Sequence, residues 1–119
     1  MLLVVAEYWN NCLRLVNETH ETSVLSGKCK SWGYKDGYPG LFKSPESVRM
    51  DNLNASQLLV PDHCNSALRT VDIKAGVAGT FVKSDSLKYI RHVAQDENGN
   101  VYATAHRSGI YLISYREKE

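Results

Sequence analysis

The sequence predicts a single α+β domain over residues 1–119, mainly β: an antiparallel sheet or small barrel of about six strands with a short helical insert near residues 44–60. Three observations carry this. Asn98-Gly99 stands between two runs of β-formers, a strong short-range hairpin signal. Val101, Ala103 and Ala105 alternate with Tyr102, Thr104 and His106, the period of a pleated strand. Long segments of 3.6-residue periodicity are missing.

In chain order, Leu2 to Trp9 and Cys12 to Thr19 read as a strand pair around Asn10-Asn11, and Thr22 to Trp32 as a third strand. Ser44, Pro45 and Glu46 are the residues expected at a helix N-cap, first position and first turn, so a helix is predicted to about Met50. A second helical turn over Ala55 to Leu59, capped by Asn52 or Asn54, would end at Pro61. Arg69 to Ala75 and Val77 to Lys83 read as strands, with Gly76 and Gly79 marking a turn or bulge. Leu87 to Gln95 fits a strand or, after a Ser84/Asp85 cap, a helix. Val101 to His106 and Ile110 to Tyr115 complete a meander.

Composition narrows the function classes. Of 119 residues 43% are hydrophobic and 23% charged, with a formal net charge of +1, which excludes a disordered chain and a strongly basic nucleic-acid coat. Residues 1–59 hold six basic and six acidic side chains and the remainder eight and seven, so charge marks no domain boundary. No apolar run approaches the roughly 20 residues of a membrane helix, and no membrane partner is expected. The apolar start, Met1 to Ala6, lacks a basic flank and is shorter than the about 7–15 residues of a signal core. Cys12, Cys29 and Cys64 form an odd set that cannot pair completely. Reduced thiols in a cytoplasmic protein are the resulting expectation, and the sequons at Asn17 and Asn54 carry no weight there.

The stretch 28–43 holds the candidate binding residues: Lys28, Lys30, Lys35 and Lys43 with Trp32, Tyr34, Tyr38 and Phe42, broken by three glycines and a proline. Rigid aromatics on a loop supply contact area at low entropy cost, which suits a protein partner. Lysines with stacking rings also suit single-stranded nucleic acid. Near-neutral overall charge ranks protein first. A Gly-rich connection folded back over the sheet is the purely structural alternative. The leading function is therefore a non-catalytic binding or accessory module that contacts a macromolecule through this loop.

An enzyme reading rests on Cys64. His63 is adjacent, but neighbours on an extended chain point apart, so His20, His92 or His106 would have to supply the base. No metal or cofactor is expected. Cysteine and histidine spacings match no preformed site, although His92 and His106 could meet across the hairpin. Asp96-x-Asn98-x-Asn100 lacks the glycine position and closing glutamate of a calcium loop and reads as a turn. Phosphate loops, dinucleotide fingerprints and the serine nucleophile elbow are absent. Homodimerisation is expected because the apolar strand Ile110 to Tyr115 would leave an edge to hide.

Overall fold

Three antiparallel meanders lie one on another in the computed structural model, which describes residues 3–105 and 109–114. The first sheet comprises β1 (Leu3–Glu7), β2 (Cys12–Val16) and β3 (Thr22–Gly27). The central sheet orders β4 (Arg49–Asp51), β5 (Asn54–Asp62), β6 (Ala67–Asp72) and β7 (Ala78–Lys83). The third holds β8 (His92–Gln95), β9 (Val101–Thr104) and β10 (Ile110–Ser114). Mainly β and antiparallel architecture is thus as the sequence indicates. The sheets do not close on one another, so the small-barrel alternative is corrected to an open stack of ten strands among the described residues.

Alternation within the central sheet explains the layering. Leu58, Val60, Val71 and Ala78 pack on Leu13 and Leu25 of the first sheet, with Phe42 between. Leu59 and Leu68, on the opposite face, pack on Val101 and Ala103 of the third sheet together with Leu87 and Ile90. The central sheet is covered on both sides, as its continuous apolar run 58–61 requires.

The helical insert is not there. Residues 54–62 form the longest strand, and 44–48 hold no helix. Ser44 takes a left-handed φ of 61° and does not cap a helix, while Pro45 bridges Asp62 in antiparallel fashion. Glu46 N–H donates to the Pro61 carbonyl and His63 N–H to that of Ser44. The cap chemistry read at 52–54 is real but serves a hairpin: Asp51 accepts from Leu53 N–H and Asn54 from Ser56 N–H.

Two smaller readings resolve. The Ser84 side chain does cap, but only the single 3-10 turn Asp85–Leu87, after which β8 begins at His92. At the 96–100 hairpin, Gly99 N–H donates to the Asp96 carbonyl at 3.0 Å, and Gly99 carries a φ of 84°. Asp96 also accepts from the Asn98 and Asn100 amides, so this is a tight turn closed by a left-handed glycine. His106 and Tyr115, which entered the strand readings, lie outside the described residues.

The expectation of reduced thiols is also overturned. Cys12 and Cys29 form a disulfide with their Cα atoms 5.0 Å apart, and Cys64 alone remains a free thiol. Parity forbids a complete set of pairs, not a single one. Cys12 opens β2, the middle strand, opposite Gly27 at the end of β3, so Cys29, two residues on, returns to it at the end of the strand pair.

Candidate functional site

The loop 28–43 is a flap laid along the β7 edge of the central sheet. β3 stops at Gly27 rather than running to Trp32, and the chain leaves through the disulfide at Cys29. It descends beside β7 to Gly37, which exchanges two backbone hydrogen bonds with Ala78 at 2.7 and 2.8 Å. After the cis Tyr38–Pro39 bond it returns through Lys35–Leu41 pairing to Lys43. Gly40 makes the turn with φ 73°, where a Cβ would sit 2.7 Å from that of Ala78. Pairing with the flap satisfies backbone groups that β7 would otherwise leave at a bare edge.

Arg69 fixes the flap from beneath. It projects from β6 and is fully buried. Its guanidinium donates to the carbonyls of Gly79, Leu41 and Lys35 at 2.8–3.0 Å, and to the carboxylates of Asp62 at 2.8 Å and Asp36 at 3.1 Å. The rings of Tyr34 and Phe42 stand 4.6 and 4.8 Å from the guanidinium carbon. Asp62, equally buried, also accepts from Lys43 N–H and the Asn65 amide. Burial pushes the Asp62 carboxyl above the ordinary aspartate range, opposed by these donors and the Arg69 charge.

The flap separates the residues that the sequence groups together. Trp32 is 66% exposed at one end of the stack, where Lys43 Nζ lies 4.4 Å from its ring. Tyr34 is mid-edge, hydrogen-bonded to Thr80 and under Lys83 Nζ at 4.4 Å. Tyr38 is 69% exposed at the far end, beside Gly76. Lys28, Lys30 and Lys35 are exposed and Lys43 is half-buried. Phe42 is corrected from a contact residue to a core residue, since no part of it reaches solvent. Its ring completes the cluster between the first and central sheets, which its position among surface lysines concealed.

The cysteine reading gains no partner. Cys64 lies in the 3-10 turn His63–Asn65, and among the described residues its sulfur makes no hydrogen bond. The His63 Nδ1 contacts the Ile90 carbonyl at 3.1 Å, and His20 sits in the 17–21 turn at the opposite end of the stack. Glu7, Cys12 and Cys29 offer ligand atoms within 4.8 Å of one another, but the two sulfurs are bonded to each other.

Sequence reasoning missed one cluster. Tyr8 and Trp9 of the β1–β2 turn, His63 after β5 and Tyr89 before β8 form a continuous row of rings. Tyr8 and Trp9 are neighbours, but His63 and Tyr89 come from connections more than 20 residues further along the chain each, so no local spacing signals the row.

No protein family matches the chain, and no curated protein does. Among solved structures it is similar to an auxiliary nutrient binding protein from Bacteroides thetaiotaomicron VPI-5482. The TM-score is 0.70 at 11% identity, over 86% of this chain and 32% of that one. The likeness at this identity is one of fold, and the chain spans about a third of that protein's length.

Proposed function

We propose that this chain is a non-catalytic binding module that contacts a macromolecule, protein in preference to nucleic acid, through the 28–43 flap. The observation that carries the reading is the pairing of exposure with rigidity. Trp32 and Tyr38 are 66% and 69% exposed on a loop that Arg69, Gly37 and the disulfide hold in place. Pre-ordered aromatics lose little entropy on binding. The binding role in the name of the structural neighbour is in keeping with this. A thiol enzyme is less well supported, because no base meets Cys64 among the described residues. The Cys12–Cys29 bond supports an oxidising compartment rather than the cytoplasm expected from sequence.

A photo-crosslinking residue in place of Trp32 is expected to capture a protein partner, while the same residue at Glu97, on the opposite end, captures none. Trp32→Ala should weaken that contact by about 2 kcal/mol. Titration with oligothymidylate at about 50 and 200 mM salt is expected to show no binding; a salt slope of roughly −2 to −3 would instead assign the four lysines to phosphates.

A self-association reading has its own support. The outward faces of the first and third sheets are uncovered: Leu3, Val5 and Val24 are 55%, 44% and 45% exposed, and Ile110 is 76% exposed. Ile110 borders a groove of about 490 Å³ with Ala94, Tyr102 and Thr104. Sedimentation at micromolar concentration should give a dimer that Ile110→Lys converts to monomer. A monomeric parent protein would end the proposal.

A further inference from the structure

We propose that the protein partner of the flap presents an acidic segment, its carboxylates taken by two ammonium groups seated on rings, Lys43 on Trp32 and Lys83 on Tyr34. The inference rests on the flap reading above and names the kind of partner that surface takes. Trp32 and Tyr34 stand on either side of Gly33, which is pinned twice. Its N–H donates to the Phe42 carbonyl at 3.0 Å, and its carbonyl accepts from the Asn65 amide at 2.8 Å. Lys43 Nζ lies 4.4 Å from the Trp32 ring centre, and Lys83 Nζ lies 4.4 Å from that of Tyr34. The two lysines come from the end of the flap and the end of β7, yet both are tied to the 63–65 turn. The Lys43 carbonyl accepts from Cys64 N–H at 3.0 Å, and the Lys83 ammonium donates to the Asn65 carbonyl at 2.7 Å. One turn therefore positions both cations and the limb that carries both rings.

These cations are not matched within the molecule. Neither ammonium has a carboxylate within ion-pair distance among the described residues. The acids that touch the flap, Asp36 and Asp62, turn instead to the Arg69 guanidinium, at 3.1 and 2.8 Å. Residues 28–43 hold four lysines and one acid in a chain whose formal net charge is +1, so the remaining residues are net acidic. Positive charge is thus gathered on this segment. A ring beneath each ammonium orders the long lysine stem before any partner arrives, which lowers the entropy lost on binding. Opposite charge across the interface then selects the partner and speeds its association.

Carboxylates suit this surface better than a phosphate-linked strand does. Single-strand binders hold successive bases on open ring faces. Here Trp32 already carries Lys43, and Tyr34 carries the Arg69 guanidinium at 4.6 Å as well as Lys83. The Tyr34 hydroxyl is also engaged, by Thr80. What the limb offers is fixed charge beside partly exposed rings, with little room for stacked bases.

The test is selection of a displayed random dodecapeptide library on the intact chain, followed by fluorescence polarisation with the recovered peptides. Enrichment of Asp and Glu over the unselected library is expected. Lys43→Gln/Lys83→Gln keeps a donor for the Asn65 carbonyl and should weaken the recovered peptides about tenfold at an unchanged thermal midpoint. The charge-matched control Lys74→Gln/Lys88→Gln should leave their affinity unchanged, since one position follows β6 and the other precedes β8, both off the Trp32–Tyr34 limb. Recovery of no peptides, or of peptides without an acidic excess, would overturn the proposal, as would equal losses in the two double variants. Displacement of the peptides by equimolar oligothymidylate would assign the site to phosphates and overturn it too. Trp32→Ala separates this inference from the reading beneath it. Non-acidic peptides that lose affinity in Trp32→Ala would leave the flap reading standing and this inference fallen. Peptides of any charge that bind Trp32→Ala at full strength would end both.

Discussion

Arg69→Met is expected to lower the free energy of unfolding by about 3–5 kcal/mol, because it leaves the Asp62 carboxylate buried without its counter-charge. Methionine keeps the apolar stem beneath Tyr34 and Phe42 but supplies none of the donors that reach Gly79, Leu41, Lys35 and Asp36. Urea denaturation should show a lower midpoint at unchanged m value, the mark of lost stability without a change in the surface exposed. The double variant Arg69→Met/Asp62→Asn removes both charges and should be more stable than Arg69→Met alone. Equal stability of the two variants would show that the pair is not coupled. The pH dependence has a definite sign. Burial raises the folded-state Asp62 above its unfolded value, so its contribution is complete below the ordinary aspartate value of about 3.9 and declines as pH rises through the raised one. Without Arg69 that decline should be steeper, and the variant should be relatively best preserved in acid.

The loss should also be felt locally. Arg69 holds both limbs of the flap, through the Lys35 and Leu41 carbonyls, from one side chain on the central sheet. Cleavage by trypsin after Lys35 is therefore expected to accelerate more in Arg69→Met than global unfolding accounts for. This ties the buried charge to function: the aromatics above it are useful for binding only while they are held in place.

What could be read from the sequence follows from how local each signal is. The hairpins around Asn10-Asn11, Gly76 and Gly99 were legible because residues with left-handed φ sit between β-formers only a few positions apart. The 44–60 stretch was misread because Ser44-Pro45-Glu46 carries every local helix-start feature while its partners are distant. Lys43 N–H is held by Asp62, and Pro45 bridges the same residue. The run Leu58-Leu59-Val60 is buried on both faces, so it lacks the alternation that would have declared a strand. Exposed Trp32, Tyr34 and Tyr38 were anticipated; buried Phe42 was not, since a lone aromatic among lysines gives no sign of which way it faces. Arg69 could not be recognised as the organiser, because a charged residue in a strand ordinarily reads as a solvated one. The ring row needs three sheets to be folded before it exists.

Reducing the Cys12–Cys29 bond is expected to destabilise the chain by about 3 kcal/mol, the loop-closure entropy of a cross-link over 17 residues. The bond ties the first residue of β2 to the start of the flap, and Lys30 N–H adds a 2.8 Å hydrogen bond to the Asn10 carbonyl beside it. Both the Trp9-bearing turn and the Trp32-bearing limb are therefore anchored at this point. Two measurements check the claim together. Iodoacetamide applied to the unfolded, unreduced chain should add one label, at Cys64, and three after reduction, matching the three cysteines present. Thermal unfolding with dithiothreitol should then fall below the untreated midpoint, and Cys12→Ser should reproduce that shift without reductant. Three labels before reduction would remove the bond and with it the argument for an oxidising compartment. One label together with an unchanged midpoint would leave the bond in place but show that the strand pairing of β2 with β3 already fixes the flap's entry without it.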